Sequence, residues 1–175
     1  MGSFSKTWIV VVVCAMLLGT LVGVVWASPS DRPGAQDITR KVTLSGANFI
    51  PAEESADWHN GGDYATCDNG TCTYTAPVVF PCLPSVTVEQ IKLHVSDSNG
   101  GAAVTASLLR TRPSTGAEKE LGSVTSGNTG GSIQTFTSDP INEVVWPSLG
   151  AYIQLDFEDK YIKVYGVTVE YHRNI

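Results

Sequence analysis

An antiparallel two-sheet β-sandwich of the jelly-roll kind, all-β and with about nine strands, is the fold this sequence predicts. Three observations predict it. Beyond residue 40, apolar residues alternate with polar ones, most plainly Ile153, Leu155 and Phe157, then Val167, Val169 and Tyr171, and period-two alternation marks strands with one buried and one wet face. Turn-forming residues interrupt that beat at intervals of about eight to twelve residues. No stretch beyond residue 27 carries a helical period, and the charged fraction is only 16%. Strands with one apolar face need a second sheet to cover it.

The elements follow in order. Lys6, the apolar run from Trp8 to Trp26 and the small Ala27 predict a signal helix over residues 1–27 that is cleaved after Ala27. The alternative is an uncleaved anchor, because residues 9–26 approach the roughly 18 apolar residues that span a bilayer. Residues 28–40, with Pro29, Pro33 and Gly34, read as a flexible leader, and residues 41–175 as the sandwich domain. Val42 and Leu44 open the first strand, and Gly46 breaks its parity as a β-bulge would. Residues 51–63 have no period and read as a long loop.

Asn69-Gly70 is the signature of a two-residue hairpin turn, so residues 64–80 read as a hairpin. Cys67 and Cys72 then face each other as a non-hydrogen-bonded pair, with Cα atoms about 4.5 Å apart, at the short limit of what a disulfide accepts. A Cys67–Cys72 bridge is therefore predicted, with Cys82 as the alternative partner and zinc ligation as a weaker reading. Residues 86–112 read as a second hairpin whose parity changes near Glu89 and Gln90. Short strands follow at 118–124, 133–137 and 141–146, and Trp146, at the end of an apolar run, reads as core. Residues 150–172 read as a terminal hairpin turning at Glu158, Asp159 and Lys160, with a bulge at Gly166.

The segments Val86-Thr-Val-Glu-Gln-Ile-Lys-Leu-His-Val, Ala151-Tyr-Ile-Gln-Leu and Val164-Tyr-Gly-Val-Thr-Val-Glu-Tyr resemble the strands of exported jelly-roll domains, among them carbohydrate-binding modules and secreted bacterial proteins. In outline the chain is also similar to extracellular fibre subunits. The resemblance implies a sandwich and an extracellular setting. It transfers no binding residue.

Charge narrows the partners. Of the 17 acidic and 11 basic residues only Lys6 precedes Ala27, so residues 28–175 carry a net charge of −7. Such a surface repels phosphate backbones, which argues against nucleic acid. Catalytic signatures such as Gly-x-Ser-x-Gly and His-Glu-x-x-His are absent from the sequence, so an enzyme is not expected. Trp58 and His59, near Glu53, Glu54 and Asp57, form one candidate ligand-binding cluster, and Tyr152 and Tyr165, on the polar parity of their strands, form a second as rings for sugar stacking. Asp97 with Asn99, and Asp156 with Glu158, offer oxygens for a structural calcium. No other cofactor is expected. The function expected is a secreted structural or adhesive protein of the cell surface or extracellular matrix, self-associating into filaments by strand exchange through the leader. A carbohydrate-binding module with an extracellular glycan partner is the alternative, and a glycan hydrolase the second alternative. Any membrane contact would be through residues 9–26 alone.

Overall fold

The alternation at the end of the chain is realised residue for residue. Ala151, Ile153, Leu155 and Phe157 are buried, while Tyr152, Gln154 and Asp156 lie half-buried on the opposite face. The computed structural model describes residues 38–53, 58–68, 70–81, 85–98, 102–146 and 148–174, without the side chains of 58–60. The signal, the leader up to residue 37, Cys82 and Asn99 lie outside the described residues, as do the side chains of Trp58 and His59.

Among the described residues the strands are β1 (Arg40–Ser45), β2 (Ile50–Pro51), β3 (Trp58–Asn60), β4 (Ala65–Cys67), β5 (Cys72–Pro77), β6 (Val86–Asp97), β7 (Val104–Arg112), β8 (Ala117–Thr125), β9 (Ile133–Thr137), β10 (Glu143–Val145), β11 (Gly150–Phe157) and β12 (Ile162–Arg173). These exceed nine because strands as short as β2 and β3 hold too few residues to display a period. In the larger sheet β6 and β12 are central, β9 and β10 run in succession along the far side of β6, β1 and β4 flank β12, and β3 lies outside β4. The smaller sheet has the order β2-β5-β11-β7-β8. Ile91, Leu93, Val167 and Val169 of the larger sheet and Ala106, Leu108, Ile153 and Leu155 of the smaller are fully buried in one core. Each large aliphatic side chain so buried contributes about 1.5–3 kcal/mol.

The three hairpins expected at 64–80, 86–112 and 150–172 are arches. β4, β6 and β12 belong to the larger sheet, whereas their partners in those stretches, β5, β7 and β11, belong to the smaller one. Alternation specifies which face of a strand is buried, and a hairpin and an arch bury the same face. Repeated crossing between sheets is the jelly-roll habit. A tight hairpin does join β7 to β8, where the Gly116 N–H donates to the Arg112 carbonyl at 2.8 Å.

The Cys67–Cys72 disulfide is present, but it does not span a hairpin. Its Cα atoms are 5.9 Å apart, and it joins the end of β4 in one sheet to the start of β5 in the other. At Gly46 the expected bulge is instead a short 3-10 turn, Gly46–Asn48, capped by the Ser45 side chain accepting from the Ala47 N–H at 3.2 Å. A Cβ at Gly46 would sit 2.5 Å from the Val164 carbonyl oxygen, so the chain can turn there only with glycine. The two other parity breaks are bulges: the β6–β12 register shifts between Val164 and Gly166, and again between Glu170 and Tyr171 opposite Glu89. β1 pairs along all six residues with β12 of its own chain.

Candidate functional site

Trp146 is the residue that the sequence places wrongly. Val145 points inward and is buried against the core, so the next side chain in an extended chain must point out. The Trp146 indole is 55% exposed. Its backbone is held by the Leu149 N–H, which donates to the Trp146 carbonyl at 2.9 Å. Pro147 cannot continue a ladder; that proline, read against the buried parity of Val145, is the signal that could have found the exposed ring.

Two depressions meet at this ring, at the end of the sandwich where β5, β7 and β10 stop. One, of about 350 Å³, is lined by Val79, Phe80, Val145, Trp146, Leu149 and Ser85 among others. The second, of about 490 Å³, is lined by Arg112, Pro113, Ser114, Trp146, Ser148 and Leu149. A third, shallow and of about 330 Å³, adjoins the first through Pro77 and is lined by Thr75, Pro77 and Tyr152. β10, which leads into Trp146, is tied across to the smaller sheet: Arg110 Nη1 donates to the Val144 carbonyl at 3.2 Å, and Lys119 Nζ pairs with Glu143 at 2.9 Å. An apolar floor, an exposed indole and a few hydroxyls and guanidinium donors suit a ligand with both CH faces and polar edges.

Tyr152 and Tyr165, expected to act together, lie on different sheets. Tyr152 stands on the outer face of the smaller sheet, where its hydroxyl donates to Glu118 Oε1 at 2.8 Å. Partial burial, aided by the Glu118 carboxylate, pushes this phenol up to about 12. Tyr165 is on β12 of the larger sheet, its ring 5.8 Å from that of Tyr64, so the two tyrosines cannot form one platform. The backbone of Trp58 and His59 pairs with Cys67 and Thr66.

Of the four calcium candidates, Asn99 lies outside the described residues and the other three are each bonded to neighbours. Asp97 is buried on the inward parity of β6, its N–H donating to Thr129 Oγ1 at 2.7 Å. Asp156 lies on the outer face of the smaller sheet, where Thr73 Oγ1 donates to it at 2.7 Å and Gln154 Nε2 at 2.9 Å. Glu158 accepts from the Ala103 N–H at 3.1 Å. Among the described residues no group of three or more His, Cys, Asp or Glu side chains gathers as a metal site.

The outer face of the larger sheet carries a polar network instead. Glu170, 4% exposed, receives Lys92 at 2.8 Å and Lys41 at 2.9 Å, together with Gln90 Nε2. Hydrogen bonding from Lys92 outweighs burial, and with Gln90 and Lys41 it holds the carboxyl down to about 2. His94 lies between Thr135 at 2.9 Å and Thr168 at 3.2 Å, and burial, then the Lys92 charge, lowers its pKa below the ordinary value. These groups bond to one another across β6, β12, β1 and β9.

No protein-family model matches this chain, and no curated protein matches it. Solved structures do. One is a family 6 carbohydrate-binding module, 14% identical over 76% of this chain and 94% of that chain, with a TM-score of 0.49. Another is the C-terminal family 6 module of LamC from Zobellia galactanivorans, 16% identical over 74% of this chain and 98% of that one, with a TM-score of 0.49. A third is a family two carbohydrate esterase from Cellvibrio japonicus, 8% identical over 79% of this chain, with a TM-score of 0.42; this chain spans 36% of its length. The likeness is one of β-sandwich fold. Among the described residues no helix is long and apolar enough to cross a membrane.

Proposed function

We propose that this protein is an exported, non-catalytic glycan-binding domain that takes its ligand on the indole of Trp146. The observation that carries this reading is the 55% exposure of that ring between two depressions, the first lined mainly by apolar residues and the second by apolar and polar ones. A sugar offers a CH face to stack on the ring and hydroxyls for the surrounding polar groups, and a rigid indole gives much contact area at little entropic cost. Export is supported by the signal-like start and the disulfide, which persists in oxidising compartments. A non-catalytic role is in keeping with a sequence that carries no Gly-x-Ser-x-Gly or His-Glu-x-x-His signature. Self-assembly through the leader finds less support, since in trans pairing of Arg40–Ser45 would first have to undo its six-residue ladder with β12.

Retention of the full chain on insoluble polysaccharides tests the proposal. Trp146→Ala should lose at least about 2 kcal/mol of affinity, as truncated aromatic anchors do, without a change in melting temperature. Tyr165→Ala should retain binding. Unchanged retention by Trp146→Ala, or no retention of the unaltered chain on any polysaccharide, would overturn the proposal.

A further inference from the structure

We infer that the glycan held at Trp146 is an acidic one, whose carboxylate is received by Arg112; this rests on the glycan-binding reading above. Among the described residues that line the two depressions flanking the ring, Arg112 is the only charged one, and no Asp or Glu is present. The other basic side chains nearby are committed, Arg110 to the Val144 carbonyl and Lys119 to Glu143. Arg112 stands at the end of β7, where the Thr115 and Gly116 N–H groups donate to its carbonyl at 3.1 and 2.8 Å and so fix its backbone. Among the described residues its guanidinium makes no ion pair.

The donor set decides the class of ligand. A neutral sugar hydroxyl both donates and accepts, and a site made for it supplies carboxylates or amides as acceptors. Among the described lining residues the hydroxyls of Ser85, Ser114 and Ser148 donate and accept alike, so they suit either kind of sugar, and the one charged group is a guanidinium, which only donates and has no carboxylate beside it. A carboxylate only accepts, and a guanidinium fork matches its two oxygens. The chain's net charge of −6 opposes a polyanion, but that repulsion is screened beyond roughly 8 Å at physiological salt, whereas contact with Arg112 is local.

Retention of the full chain should be compared on polygalacturonate, alginate and glucuronate-bearing xylan and on the carboxyl-reduced form of each polymer. At least one uronate polymer should be retained about fivefold more strongly than its reduced form, the scale of one charge-assisted bidentate contact at a partly exposed site. Arg112→Gln should erase that difference, Arg112→Lys should keep part of it, and Trp146→Ala should abolish retention of both forms. Equal retention of both forms by the unaltered chain, or a preference that survives Arg112→Gln, would overturn the acidic ligand and leave the glycan site standing. Retention of neither form, with Trp146→Ala indistinguishable from the unaltered chain, would overturn both.

Discussion

Two side chains display how neighbours set a residue's role. Tyr152, half-buried, and Trp146, exposed, are rings beside adjoining depressions, yet the Tyr152 hydroxyl is tied to Glu118, while no side chain bonds the Trp146 indole among the described residues. Glu170 is a buried charge held by two lysines and a glutamine. Its carboxyl falls from the ordinary 4.5 to about 2 in the folded state, chiefly through Lys92. A lowered carboxylate pKa stabilises the fold above about pH 4.5, and the contribution disappears as pH falls to about 2. At roughly 1.4 kcal/mol per unit, its size is on the order of 3 kcal/mol. Glu170→Gln should therefore melt lower at neutral pH and lose less between pH 4.5 and 2 than the unaltered protein. Parallel melting curves across that window would show that Glu170 is not the group responsible.

At the level of elements, the Cys67–Cys72 bridge joins two strands that lie in different sheets, so it closes an arch covalently. The loop it closes is short, with a sequence separation of 5, and chain entropy assigns such a loop about 2 kcal/mol. A Cys67→Ala, Cys72→Ala variant should melt about 5 °C lower, and an unaltered melting temperature would remove the bridge from the stability of the arch. The positions of the longer strands were legible in the sequence, although β3 lies inside the stretch 51–63 that reads as a loop, and so were two of the three parity breaks, because a bulge changes the inward parity of a pleated strand. The breaks near Glu89 and at Gly166 are both register shifts in the β6–β12 ladder. Pairing was not legible: alternation from Ile153 to Phe157 is the same whether the facing strand lies beside it or across the core. For the same reason Trp146 reads as the end of an apolar run, although only Val145 of that pair faces inward.

On the scale of the whole molecule, two sheets cross over a single core and leave the connections at their ends to differ from one another. The end bearing residues 77–81, 112–116 and 148–149 carries the exposed indole, Arg112 and the two depressions. The outer face of the larger sheet is occupied by its own ion pairs around Glu170. The proposed ligand contact lies at the loop end, with the Tyr152 edge beside it. The most direct measurement is a titration of the isotope-labelled protein with oligosaccharides, following indole and tyrosine ring signals by NMR. Saturable shifts centred on Trp146, fading through Tyr152 and absent from Tyr64 and Tyr165, are the result expected; shifts centred on the Tyr64–Tyr165 pair, or none with any oligosaccharide, would contradict the assignment.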